Sequence, residues 1–207
     1  MDISDKIVER AVEILVEGGI IAFPTDTVYC LAADIYNKEA LEKIYRVKSR
    51  PFNMALPVIV ADMEQMKRVC RVTPLGLFLA REFFPTGFTL VLPRSPELPD
   101  VITAGKDTVA VRIQDHPVAA EIVRKFGRGV AGTSANIHGK KSPVTREEVL
   151  EQLYGNVDLV IEGTCQGGIE STIVDATGDK PLILREGAIP QKRVNEAYQR
   201  FRQVFQR

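Results

Sequence analysis

Short apolar runs punctuate this chain, and they limit what it can fold into. "IIAF" (20–23), "LPVIV" (56–60), "FTLVL" (88–92), "TVAVRI" (108–113), "GVAG" (129–132), "VDLVIEG" (157–163), "STIVDA" (171–176) and "LILRE" (182–186) are four to seven residues long. Runs of that length, rich in β-branched residues and bounded by Gly, Pro, Asp or Ser, read as strands. Between most of them lie segments of helical period. "SDKIVERAVEILVEGG" places Ile7, Val8, Ala11, Val12, Ile14 and Leu15 on one stripe, with Ser4 as a cap and Gly18-Gly19 as a stop. "NKEALEKIYRVK" is a second helix, Asp62 caps a third, and Thr73-Pro74 starts a fourth, since proline suits the first turn. Pro117 to Phe126 is a fifth, and Thr145-x-x-Glu148 is a capping box that opens a sixth. Strands alternating with helices predict an α/β or α+β fold with a substantial mixed sheet.

The 207 residues leave room for one large domain or two small ones. No repeat or low-complexity tract divides them, and "PRSPELPD" (93–100) reads as a surface loop rather than a linker. A single domain over 1–207 is expected, with a core from about 10 to 190 and a tail helix over 191–207. In the tail, Val194, Ala197, Tyr198, Phe201, Val204 and Phe205 share an apolar face, and "AIPQKRVNEAYQRFRQVFQR" carries five basic residues against one acidic.

Charge removes some functions from consideration. The 27 basic and 27 acidic residues balance, so bulk charge draws neither nucleic acid nor membrane, and any basic surface must be local. No apolar stretch approaches the roughly 20 residues of a bilayer span. The start, "MDISDKIVER", lacks an apolar signal core, and a reducing cytoplasm is the expected setting. Cys30, Cys70 and Cys165 stand far apart, which argues against a disulfide framework or a CxxC metal site. With only His116 and His138, a histidine-rich metal site is not expected.

Polar residues gather where apolar runs end. "IIAF" runs into Pro24-Thr25-Asp26-Thr27, the second helix into Lys48-Ser49-Arg50, "TVAV" into Arg112, "GVAG" into Thr133-Ser134-Ala135-Asn136, and "LIL" into Arg185-Glu186-Gly187. Ligands of open α/β sheets sit at such strand ends. Taken singly, Thr25-Asp26-Thr27 reads as a turn, Lys48-Ser49-Arg50 as a solvated helix end and Cys30 as a small buried residue. "TSANIHGKKSP" (133–143) is dense in hydroxyls and cations, but six residues separate Gly132 from Gly139, and Lys140 is followed by Lys141. A P-loop has four residues there and a Ser or Thr after its lysine, so a Walker core is disfavoured. Small side chains, backbone N–H groups and hydroxyls still suit an anion.

Together these loops resemble the YrdC/TsaC family of threonylcarbamoyl-adenylate synthases. "PTDTVYCLAAD" is similar to that family's PTDTVYGLG, "KSR" to KxR and "FPTGFTLVLPRS" to PGPxTLVL. "VAVRIQDHP" is similar to VGVRxPxHP, "TSANIHG" to TSANxSG, and "ESTIVD" and "LREG" to its closing motifs. The likeness is collinear from about residue 10 to 190. It implies a twisted mixed sheet flanked by helices, with a concave cationic cavity. It also implies that L-threonine, bicarbonate and ATP, with magnesium accompanying the ATP, give threonylcarbamoyl-AMP and pyrophosphate. The product would supply a tRNA adenosine modification through a downstream transferase complex.

By matching positions, Thr27, Arg112 and Ser171 would hold threonine. Arg50, Ser134, Asn136, Ser142 and Arg185 would contact ATP, and Lys48 with Arg50 would act at the phosphates. No dedicated carboxylate cage for a metal is visible. The chain departs from the family at Cys30 (usually glycine), Met54-Ala55-Leu56 (often Asn-Pro-Leu), Ile59 (often histidine), Thr86-Gly87 (Gly-Pro), Gln114 (proline) and His138 (serine). Those departures resemble a YciO-like branch. Two other readings therefore stand beside the synthase: a double-stranded RNA or tRNA-binding module of the same fold, and a related nucleotidyltransferase with another acceptor.

Overall fold

The computed structural model describes residues 5–165 and 169–205. Helix α1 (Asp5–Val16) leads into strands β1 (Ile21–Phe23) and β2 (Cys30–Asp34), then α2 (Lys38–Lys48), β3 (Val58–Val60), α3 (Met63–Val69) and α4 (Pro74–Phe83). Next come β4 (Phe88–Pro93), the short α5 (Asp100–Thr103), β5 (Thr108–Ile113), α6 (Pro117–Phe126), β6 (Val130–Ser134) and α7 (Arg146–Leu153). The order ends with β7 (Leu159–Val160), β8 (Thr172–Asp175), β9 (Leu182–Arg185) and α8 (Gln191–Phe205).

The caps work as their residue types require. Asp62 accepts from the Gln65 N–H, Thr73 from Gly76, and the Thr145–Glu148 box closes in both directions. The proposed cap at Ser4 lies outside the described residues. Three readings change. β2, "CLAAD", is a central strand, although it lacks the β-branched content that marks the others. Only Leu159–Val160 of "VDLVIEG" pairs as strand. In α8, Val194, Ala197 and Phe201 are buried, while Val204 and Phe205 stay exposed. No helix among the described residues is long and apolar enough to cross a membrane.

One nine-stranded mixed sheet runs β7-β1-β2-β6-β3-β5-β4-β8-β9. On one face, α2, α3, α4, α7 and α8 cover it through Leu41, Ile44, Met66, Leu79, Val149 and Phe201. On the other, α1 and α6 pack Val8, Leu15, Val118 and Ile122 onto Ile21, Phe23, Ala32, Ile59 and Val130. Those sheet residues belong to β1, β2, β3 and β6 only. Over β5, β4 and β8 no helix of the described residues covers the second face, and Val91, Ala110 and Ile173 are only half buried there. The alternation of side chains along a strand thus puts Val109, Val111, Phe88, Leu90 and Val174 into the core and turns their neighbours to an open floor.

Candidate active site

The open half of that face is a cavity of 540 Å³. Its floor is Thr89, Val91, Ala110, Arg112 and Ile173, and its walls are the loops after β1, α2, β6 and before β8. Of the nine residues singled out from the sequence, Thr27, Arg50, Arg112, Ser134, Asn136, Ser142, Ser171 and Arg185 line it.

The loop after β1 is braced internally. Thr25 Oγ1 donates to the Val28 carbonyl at 2.6 Å and accepts from the Thr27 N–H at 3.1 Å. This points Thr27 at Arg112, whose Nη1 donates to Thr27 Oγ1 at 3.1 Å while Nη2 pairs with the Asp26 carboxylate. Arg112 is 7% exposed, and its Nε has no partner among the described residues. Burial pulls its pKa down and the Asp26 carboxylate opposes that, so the guanidinium remains a cation. In the register of β3 on β5, Ile59 sits beside Arg112.

Lys48 departs from its expected place. It is 1% exposed and does not line the cavity. Its ammonium donates to the Asn136 carbonyl at 2.7 Å and to Asn136 Oδ1 at 3.3 Å, and it also contacts the Ser134 carbonyl. Burial, then the neighbouring Arg50, lowers its pKa to about 8. The next two residues turn the chain: Ser49 adopts the left-handed conformation (φ 50°) as the C-cap of α2. Arg50 then folds back so that Nη2 donates to the Ala55 carbonyl at 2.8 Å. Asn136 also braces its loop, donating through Nδ2 to the carbonyls of Ile137 and Lys140 at 3.0 and 2.7 Å.

On the far wall, Glu170 joins two loops. It accepts from Ser142 Oγ at 3.0 Å and pairs with Arg185 Nη1. Arg185 also donates through Nε and Nη2 to the Ser171 carbonyl at 3.1 and 2.9 Å, and Ser171 Oγ lies 2.8 Å from Thr89 Oγ1. Gly187 makes this crossing possible, because a Cβ there would fall 2.2 Å from the Glu170 carbonyl.

Among the described residues four cations, Arg50, Arg112, Lys140 and Arg185, line the cavity against one carboxylate, Glu170. Cys30 lines it too, but burial raises its thiol to about 12, so it is not a thiolate nucleophile. His116 is occupied as the cap of α6, with Nδ1 accepting from the Val118 N–H at 3.3 Å. Among the described residues no cluster of three or more His, Cys, Asp or Glu side chains is placed to hold a metal. The chemistry available is charge neutralisation and positioning rather than covalent catalysis. Sequence reasoning missed Thr89 and Gln114 and did not assign Glu170 or Lys140 to the cavity. For Thr89 a signal existed, since a polar residue in an otherwise apolar strand marks the face that is not core.

Fold and site together define an α/β protein that leaves part of one sheet face open as a cleft lined by Arg50, Arg112 and Arg185. The chain belongs to the Sua5/YciO/YrdC family, whose model, described as telomere recombination, matches residues 13–187. The threonylcarbamoyl-AMP synthase of Pyrococcus abyssi is 39% identical over 87% of this chain and 54% of its own length. The structure of P. abyssi Sua5 complexed with L-threonine superposes with a TM-score of 0.92 at 36% identity, over 95% of this chain and 58% of that one. E. coli YciO superposes at 0.86 with 28% identity, over 92% and 94% of the two chains. The chain thus spans about half the length of the first curated synthases it matches, 54% and 56%.

Proposed function

We propose that this chain condenses L-threonine, bicarbonate and ATP into L-threonylcarbamoyl-AMP and pyrophosphate. The observation that carries the reading is that Arg112 and Thr27 face the same cavity as Arg50, Ser134, Ser142 and Arg185. In this reading a carboxylate site and a phosphate site are adjacent. The likeness to synthases bearing that name, and to a relative solved with threonine, supports it.

In this reading the threonine carboxylate meets the Arg112 guanidinium, a fork suited to two oxygens, with Thr27 and Ser171 beside it. The amine combines with bicarbonate to give a carbamate and water. A carbamate oxygen then bonds to the α-phosphorus of ATP. The bond from that phosphorus to the β-bridging oxygen breaks, and pyrophosphate leaves with the electron pair. Negative charge grows on the phosphoryl oxygens and leaving group, where Arg50 and Arg185 act as cations and Ser134 and Ser142 as donors. Magnesium enters with ATP as part of the substrate. Lys48 and Asn136 act one step back, by holding the loop that presents Ser134. The product then passes its threonylcarbamoyl group to a tRNA adenosine through a partner transferase.

The test incubates the protein with ATP, labelled bicarbonate and threonine. Threonine-dependent pyrophosphate and a labelled adenylate are expected. Absence of both sinks the synthase reading, and stronger turnover with another amino acid replaces threonine as the acceptor.

A further inference from the structure

Two buried side-chain polar atoms lack a hydrogen-bond partner among the described residues: Arg112 Nε and Gln114 Oε1. Both residues line the same cavity. Arg112 is the penultimate residue of β5 and Gln114 lies one residue beyond its end; both border the cavity, as does Ala110. Gln114 is only 5% exposed. A buried amide oxygen normally has a partner, and one left without calls for an explanation. Here the unsatisfied pair is one cationic donor and one neutral acceptor, on residues two apart in the chain. That is the complement of a small ligand with a carboxylate at one end and a hydroxyl or N–H a few ångströms away.

We infer that Gln114 is a specificity-determining residue whose side-chain amide accepts a hydrogen bond from the β-hydroxyl of the bound amino acid. The inference rests on the proposed reading of the cavity as an amino-acid site. The hydroxyl is assigned rather than the nitrogen because the nitrogen is the reacting atom and must face bicarbonate and ATP. A site that has buried an acceptor discriminates against a ligand lacking the donor, because that ligand leaves the acceptor unpaired. Gln114 therefore works as a filter for β-hydroxy amino acids, with Arg112 supplying affinity for the carboxylate common to all of them.

The test is titration calorimetry of the full chain with L-threonine and with L-2-aminobutyrate, which is threonine without its hydroxyl. The wild type is expected to bind threonine about 10-fold or more tightly over 2-aminobutyrate. In Gln114→Leu the ratio is expected to fall below about 3-fold, through loss of threonine affinity, with 2-aminobutyrate little changed. Gln114→Met, an unbranched side chain of similar length without the acceptor, gives the same reading should the leucine variant fail to fold. A preserved ratio in either folded variant overturns the assignment, as does an equal loss of both ligands. If the wild type binds neither ligand, the amino-acid reading of the cavity itself falls. That result is distinct from binding without a Gln114 effect.

Discussion

The ammonium of Lys48 donates to the backbone carbonyl of Asn136 at 2.7 Å, joining the end of α2 to the loop after β6. That buried ammonium is used on the carbonyls of the loop that carries Ser134 and Asn136. Lys48→Met removes a costly buried charge but leaves the Ser134 and Asn136 carbonyls short of a donor, at about 1–3 kcal/mol each. The expected outcome is a net stability loss of about 1–3 kcal/mol in urea unfolding. ATP affinity should fall at least about tenfold, with threonine affinity nearly unchanged. Comparable loss of both ligands would remove the loop-positioning role.

The same lysine gives a pH signature. Its pKa in the folded protein is about 8 against 10.5 for the free side chain. Between those values the unfolded chain still holds the proton that the folded protein has released. Stability from this group therefore rises with pH across that window and is flat below it. Subtracting the Lys48→Met urea midpoint from the wild-type midpoint at pH 7 to 10 isolates the effect. A difference that shrinks above pH 8 contradicts it.

Arg112 is held by Asp26 and Thr27 with Nε left over. Arg112→Ala should lower threonine affinity by about 100-fold and ATP affinity by no more than about threefold. Arg112→Lys keeps the charge but loses the planar fork, so it should recover stability more than binding. Calorimetry with each ligand separates the two, and parallel losses would reassign Arg112 from the amino-acid side of the cavity.

Glu170 bridges Ser142 and Arg185, two residues assigned to the nucleotide. An incoming phosphate must displace this carboxylate or share its partners. Glu170→Gln removes the competing charge while keeping a similar shape, so ATP should bind about three- to tenfold tighter. Unchanged or weaker ATP binding in a folded Glu170→Gln protein would mean that the carboxylate positions Arg185 rather than blocks it.

Local rules made helices with caps and strands with β-branched residues legible. Helix α7 is an example: its capping box is complete within four residues. Where partners are distant the sequence was silent. Lys48 looks like a solvated helix end because its acceptors lie 86 and 88 positions away. β2 carries Cys30-Leu31-Ala32-Ala33-Asp34, whose strand state comes from pairing on both sides with β1 and β6. Gln114 follows a strand and could be read as loop, and its place in the cavity wall shows only in the folded chain. The cluster of hydroxyls and arginines was legible because strand ends collect ligands whatever their order. The bracing roles of Asn136 and Glu170 needed the folded chain.

Gly132, Ile59 and Cys30 test how tightly the cavity wall is packed. A Cβ on Gly132 would lie 2.3 Å from Ile59 Cδ1, 2.7 Å from its Cγ1 and 3.1 Å from Cys30 Sγ. Ile59, on β3, is 3% exposed and packs in the cluster that holds Val130 and Val118, so shifting it disturbs that packing. Gly132→Ala should therefore cost about 1–3 kcal/mol, the usual range for overpacking. Ile59→Ala alone should cost about 2–4 kcal/mol as a cavity. The double variant should lose less than the sum, because the new methyl fills space that the isoleucine vacates. A double-mutant cycle from urea unfolding measures this coupling directly. Additive losses would mean that the glycine serves the backbone approach of β6 to β3 and not the side chain of Ile59.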